Sequence, residues 1–198
     1  FADCSSPASI TLPDSVTSIG EYAFDGCSSL TSVVWNAKNC AGWSYPSYAP
    51  FYDSRANITS FTFGEEVETI PSYLCYGMSS LTSVTIGNSV TSIESSAFEY
   101  CSSLADIYCY ATTPPVCDDD NIFSGVNKLC HIHVPAGTIS NYQVATGWRY
   151  FSKFLEISEE TSISETEQQN KSSRKIIRDG QVLILRNGVT YDMMGNTL

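Results

Sequence analysis

The segment Cys130-His131-Ile132-His133 holds the densest group of chemistry-bearing side chains in this 198-residue chain. A thiolate with imidazoles is a zinc ligand set. On an extended strand, however, neighbouring side chains face opposite ways, so His131 and His133 share one face and Cys130 takes the other. A tetrahedral site then needs further ligands from other segments, and no Cys-x-x-Cys occurs. Asp118-Asp119-Asp120 lacks the spaced oxygens and the glycine of a calcium loop and suits a solvated turn. No metal and no cofactor are expected. Catalysis has as little to build on. These are the only two histidines, Gly-x-Ser-x-Gly is absent, and no glycine loop fits a phosphate. The chain is expected to be non-enzymatic, with no catalytic residue.

Eight cysteines remain to be explained. Cys4, Cys27 and Cys101 stand at matching points of similar segments, where a buried free thiol acts as a small hydrophobe. Cys109, Cys117 and Cys130 fall together later in the chain, which leaves one disulfide there, for instance Cys117–Cys130, as an open alternative. Net charge is −11, of which residues 1–155 carry −9. Nucleic acid is thereby disfavoured as a partner, because phosphate contacts need clustered Lys and Arg. No apolar run approaches the roughly 18–20 residues of a membrane span, and no signal sequence is visible.

The elements that position these residues repeat. Ser-Ser-Leu-Thr-Ser-Val occurs at residues 28–33 and 79–84, and Cys-Ser-Ser-Leu at 27–30 and 101–104. Leu81 and Leu104 are 23 apart, as are Cys4 and Cys27, Phe1 and Phe24, and Ile70 and Ile93; Leu30 and Leu81 are 51 apart, so one repeat carries five extra residues. A period between about 20 and 29 with Leu-x-x-Val-x-Ile spacing marks a leucine-rich-repeat solenoid. The expected fold is a right-handed α/β, mostly β, solenoid of about five coils, each a strand, a turn, a short extended piece and a helical or 3₁₀ turn. Alternation turns Leu81, Val84 and Ile86 inward, and with them Pro7/Ile10/Leu12, Leu30/Val33/Trp35, Ile58/Phe61/Phe63 and Leu104/Ile107/Cys109. Ile19, Ile70 and Ile93 make a second core column; Phe24, Phe51 and Phe98 make a third, with Cys75 at the same position. Phe1 also falls at this repeat position, so the natural polypeptide is expected to extend before it.

Repeats are expected over 1–111, with the insertion near 36–56. Its Trp43, Tyr45, Tyr48 and Tyr52 either fold back on the core or form a contact surface, stiffened by Pro46 and Pro50. Residues 112–157 read as a cap over the exposed end of the core, with Ile139, Tyr142 and Val144 in reach of Trp148. Residues 158–173 have a linker composition. Over 174–198, Asp179-Gly180 and Asn187-Gly188 predict a small hairpin or three-stranded meander.

With repeats and cap in place, the chain resembles BspA-like leucine-rich-repeat surface proteins of Bacteroidales-type bacteria. The residues that carry the likeness are Ser15-Val16-Thr17-Ser18-Ile19 with Ala23 and Phe24, and Ser89-Val90-Thr91-Ser92-Ile93 with Ala97 and Phe98. Cys-Ser-Ser-Leu and the ending Val134-Pro135-Ala136-Gly137, Tyr142 and Gly147-Trp148 complete it. The resemblance covers residues 1–157. Residues 175–198 are similar to short C-terminal segments related to the sorting tails of secreted Bacteroidales proteins. The family implies an extracellular or cell-surface location and recognition or adhesion, without naming a ligand.

The outward strand residues are then the candidate site. For most of its length the row is small and hydroxylated, Ser83 and Thr85 included. Towards the cap it becomes aromatic and ionisable at Asp106, Tyr108, Tyr110, His131 and His133. A shallow row of this kind suits a large protein ligand better than a small molecule, and Tyr is favoured at binding hot spots. Two alternatives stand beside it: glycan binding by the loop residues Trp43, Tyr45, Tyr48 and Tyr52, and an architectural spacer with no ligand.

Overall fold

The computed structural model describes residues 1–157 and, further on, three strands within 174–191. The chain forms two units, Phe1–Ile157 and Ser158–Leu198. The first contains the strands β1 (Ser9–Leu12), β2 (Ser32–Trp35), β3 (Ser60–Phe63), β4 (Thr69–Ile70), β5 (Ser83–Ile86) and β6 (Ser92–Ile93). They are followed by β7 (Asp106–Cys109), β8 (Val116–Cys117), β9 (His131–Pro135), the helix α1 (Ile139–Val144) and β10 (Lys153–Ile157). In the second unit, β11 (Arg174–Arg178), β12 (Gln181–Arg186) and β13 (Val189–Tyr191) pair antiparallel in sequence order, the expected meander. The linker at 158–173 and the two turn dipeptides lie outside the described residues.

A seven-stranded parallel sheet in the order β1-β2-β3-β5-β7-β9-β10 runs the length of the first unit, and a second parallel ladder joins β4, β6 and β8. Like residues pair with like. Ser9, Ser32, Ser60, Ser83, Asp106, His131 and Lys153 form one row across the long sheet. Seven strands mark out about six turns rather than the five expected. The sheet does not stop at residue 111: β9 and β10 add two further rungs beyond the regular repeats.

The period of 23 becomes a set of columns inside the coil. Val33, Phe61, Val84, Ile107 and Ile132 are all buried, as are Trp35, Phe63, Ile86 and Cys109. Rings pass contact along the axis: Phe1 stacks on Phe24 at 5.6 Å, Phe24 on Phe51 at 4.8 Å, and Phe98 on Phe123 at 5.6 Å. Cys75 replaces a ring between Phe51 and Phe98. There the contact detours through the strand side, Phe51 to Phe61 at 6.0 Å, Phe61 to Phe63 at 4.8 Å and Phe63 to Phe98 at 6.1 Å. Burying each of Phe24, Phe51, Phe98 and Phe123 contributes about 1.5–3 kcal/mol, an upper estimate against a real unfolded chain, whereas Phe1 stays exposed. Of the innermost triplets only the first is incompletely covered: Pro7 is exposed and Ile10 half-buried.

Polar columns tie the coils as well. The Thr31, Thr59 and Thr82 hydroxyls each donate to a main-chain oxygen of the preceding coil, at 3.2, 3.2 and 3.1 Å, accepted by Ala8, Thr31 and Thr59. The cysteine column does the same from inside. The Cys27 thiol donates to the Phe1 carbonyl at 3.4 Å and the Cys101 thiol to the Cys75 carbonyl at 3.1 Å, so the thiols are donors as well as hydrophobes. All eight cysteines are free, Cys117 and Cys130 included, and the Cys117–Cys130 disulfide is corrected accordingly.

The turn segments differ from expectation. They are irregular rather than helical at residues 95–100, because Ser96 (φ 57°) and Tyr100 (φ 61°) enter the left-handed region that interrupts a helix. Beyond β9, α1 buries Tyr142, which meets Trp148 edge-on at 5.0 Å, and half-buries Ile139, while Val144 is 75% exposed. The Tyr142 hydroxyl donates to the Ala111 carbonyl at 2.7 Å and the Trp148 indole N–H to that of Pro115 at 3.0 Å, closing the end of the core with satisfied polar atoms. No helix among the described residues is long and apolar enough to cross a membrane.

Burial pushes the thiols up from an ordinary value of 9.0, Cys109 to about 11 and Cys101, Cys117 and Cys130 to about 12. Their unfolded forms ionise first, so the stability they contribute is complete below pH 9.0 and is lost as the pH rises towards 12. The melting temperature under reducing conditions is therefore expected to fall steeply between these limits. Below them, Ellman's reagent should react readily in the folded protein with Cys4, the one cysteine not buried, and with all eight after denaturation. Rapid native reaction of more than one or two thiols would contradict this packing. A second expectation concerns Gly87, where an added Cβ would stand 2.4 Å from the Gly64 carbonyl oxygen and 3.0 Å from the Glu65 Cα. Since backbone cannot swing aside, Gly87→Ala should cost about 1–3 kcal/mol in urea denaturation.

Candidate functional site

Three coils assemble the ionisable end of the strand face. Parallel pairing sets Ser83 beside Asp106 and Asp106 beside His131, with Thr85, Tyr108 and His133 in the row two residues on. All six point away from the core and are half-buried between neighbouring rungs. Tyr110 follows β7, where its backbone N–H donates to the Ile86 carbonyl at 3.0 Å. The inner alternates Ile107, Cys109, Cys130 and Ile132 are buried, so the separation of Cys130 from the two histidines expected of a strand is present.

The side chains are organised among themselves. The Tyr108 and His133 rings lie face to face, 4.1 Å between centroids and 10° from parallel. One Asp106 carboxylate oxygen stands 2.8 Å from His133 Nε2 and 3.4 Å from His131 Nδ1. Asp106 thus serves both imidazoles from the neighbouring strand, while the His131 side chain stays 41% exposed against 16% for His133. The arrangement is a flat ring pair beside a shared carboxylate, an array of directional hydrogen-bonding groups on a rigid sheet. Among the described residues no three His, Cys, Asp or Glu are grouped to hold a metal ion.

Two residues of this face escaped sequence reading. Lys153 pairs with His131 and Leu155 with His133, and Leu155 is 44% exposed, so the face continues across β10 as cation and apolar side chain. Only the alternation of residues 153–157 hinted at it, without the Leu-x-x-Val spacing of the other rungs. The Asp118–Asp120 turn is engaged elsewhere: Arg149 makes an ion pair with Asp120 at 2.9 Å and holds that carboxyl below its ordinary value.

The insertion places its rings apart from this cluster. Trp43 is 9% exposed, and a Cβ at Gly42 would meet the Ser72 backbone N at 2.8 Å, so this part of the loop lies tightly against the coil. Tyr48 is half-buried, Tyr45 is 61% exposed and edge-on to it at 5.5 Å, and the Arg55 guanidinium lies 3.8 Å over the Tyr52 ring.

A parallel coil with like residues stacked at one repeat period defines a leucine-rich-repeat solenoid. The family model described as the BspA type leucine-rich repeat region matches residues 1–129 and 44–161 in six copies, and the chain belongs to that family. The match ends before residues 174–198. Among solved structures, the chain is similar to a leucine-rich repeat protein from Bacteroides ovatus ATCC 8483, at 24% identity over 77% of this chain and 43% of that one, TM-score 0.45. A leucine-rich repeat protein from Eubacterium ventriosum ATCC 27560 is similar at 16% identity over 82% of this chain and 42% of that one, TM-score 0.34. The chain therefore spans less than half the length of either. Comparison with curated proteins gives no match.

If the stack between β7 and β9 stabilises the site, Tyr108 and His133 must be coupled. A double-mutant cycle of Tyr108→Ala and His133→Ala, read by urea denaturation, is expected to give a coupling of about 0.5–1.5 kcal/mol. Strict additivity would show the two rings to be independent.

Proposed function

We propose that the chain is a non-enzymatic recognition module, acting outside the cell or on the bacterial surface, that binds a protein ligand through the exposed face of the long sheet. The observation that carries this reading is the change of chemistry along one rigid row. Small hydroxyls fill most of it, then Asp106, Tyr108, His131, His133, Lys153 and Leu155 follow within three adjacent strands. Rigid rings add contact area at small entropic cost, and the Asp106–imidazole contacts hold them in place before a partner arrives. Ser83 and Thr85 supply the flank on the repeat side, and Tyr110 the strand end. A shallow, open row favours a macromolecule over an enclosed small molecule. Family membership supports an interaction role and the surface location.

The glycan reading of the insertion is weakened by the burial of Trp43, the largest ring available for stacking on a sugar. The experiment is a binding screen against immobilised matrix proteins, mucins and a glycan panel, with the wild type beside a Tyr108→Ala/His131→Ala double variant. Protein binding weakened at least about tenfold in the variant is expected, a loss of roughly 1.4 kcal/mol. Binding unchanged by both substitutions would remove the strand face from the function. Binding confined to glycans and lost in Tyr45→Ala would move it to the insertion, and no binding at all would leave a spacer.

A further inference from the structure

Outside the two ladders, the turn segments carry tyrosines whose backbone conformation is costly. Tyr22 (φ 58°), Tyr73 (φ 61°) and Tyr100 (φ 61°) all lie in the left-handed region. A non-glycine residue there is strained by roughly 1–3 kcal/mol. Glycine is the low-strain choice, and the fold uses it at the positions equivalent to Tyr100, where Gly26, Gly77 and Gly125 have φ of 71°, 67° and 82°. The coil demands left-handed backbone at both positions, since Asp3 (φ 61°) shares that of Tyr100 and Ser96 (φ 57°) that of Tyr22 and Tyr73, but it does not demand a ring there. Nor does burial explain the rings, since Tyr22 is 40% and Tyr100 51% exposed.

The rings are in contact with one another. Tyr22 meets Tyr48 edge-on at 6.3 Å, and Tyr48 meets Tyr45 at 5.5 Å. One coil further, Tyr73 meets Tyr76 at 6.0 Å and Tyr76 meets Tyr100 at 5.5 Å. The Arg55 guanidinium covers Tyr52, and its Nε lies 3.3 Å from where a Cβ on Gly77, the neighbour of Tyr76, would stand. The surrounding charge is negative. Asp25 accepts from the Asp53 backbone N–H at 3.4 Å, and Glu21 lies beside Tyr22 and Glu99 beside Tyr76. Burial lifts the Asp25 carboxyl above its ordinary value and the nearby Asp53 carboxylate adds to the rise, while the Arg55 guanidinium opposes it.

We propose that this tyrosine face is a second docking surface, independent of the strand face, and that its occupant is an arginine-bearing polypeptide segment. A guanidinium stacks on tyrosine faces and pairs with carboxylates at once, which an ammonium does less well. Arg55 on Tyr52 is the chain's own instance of that contact. Glu21, Asp25 and Asp53 near Tyr22 and Glu99 near Tyr76 give the face a negative charge that a second guanidinium can meet.

The test is fluorescence anisotropy at physiological ionic strength with a labelled Gly-Arg repeat peptide and a Gly-Lys peptide of equal length. The Gly-Arg peptide is expected to bind at least about fivefold more tightly, because a guanidinium stacks on rings and pairs bidentately with carboxylates where an ammonium acts as a point charge. Tyr22→Gly and Tyr100→Gly suit their backbone angles, so the pair should leave the melting temperature undiminished while weakening Gly-Arg binding at least about tenfold and abolishing the preference. Tyr45→Ala, at an exposed ring, repeats the test without touching a strained position. Tyr108→Ala on the strand face should leave peptide binding unchanged, so failure here is distinct from failure there. Equal binding of both peptides would reduce the effect to the net charge of −11. That result, retained binding in the tyrosine variants, no peptide binding, or displacement of the peptide by an oligosaccharide would each overturn the proposal.

Discussion

Parallel pairing in register places every side chain between its own equivalents in the coils before and after, and most of the structure answers to that condition. A residue type is admissible at a repeat position only if it packs against itself. Leucine, isoleucine and phenylalanine do so by dispersion and burial, and threonine and cysteine by donating to the carbonyl of the preceding coil. Glycine meets it where backbone of adjacent coils nearly touches, as Gly87 does over Gly64. Stability is then a sum over neighbouring coils rather than the property of one central core.

Where self-packing is broken, the neighbours compensate. Cys75 cannot continue a column of rings, and Phe61 and Phe63 carry the contact across from the strand side. The five-residue insertion is accommodated in the same spirit: Trp43 and Ala49 go into the core, and the surplus chain with Tyr45 is left outside. At the cap end the rule changes its material. His133 lies on Tyr108, an imidazole on a phenol, and Asp106 joins strands through its carboxylate rather than through a hydroxyl. The end of the repeat pattern is also where the surface acquires distinctive chemistry.

The columns were legible because period and alternation are properties of the sequence. Leu81, Val84 and Ile86 with their equivalents, the phenylalanine column and the facing of His131 and His133 all follow from counting. Less was legible where contacts depend on the path between counted positions. β10 has no leucine spacing, and only the return of the chain after α1 brings Lys153 to His131. The thiol hydrogen bonds could not be read from cysteine spacing alone, since it does not say which carbonyl a thiol meets. The left-handed tyrosines were hidden for a different reason: local preference argues against them, so only the assembled coil exposes them. In the site, the row was foreseeable but the stack of Tyr108 on His133 and the sharing of Asp106 were not.

The thread of thiols and hydroxyls that joins each coil to the one before has a bearing on how such an array changes over generations. Each bond runs from a side chain to main chain, and main chain is the same in every coil. A duplicated or deleted repeat therefore finds its acceptors already waiting. The cap-end cluster, by contrast, draws on His131 and His133, the chain's two histidines. Copy number is free to drift in the middle while that edge is left intact, so such an array can change its length without disturbing the chemistry at its end.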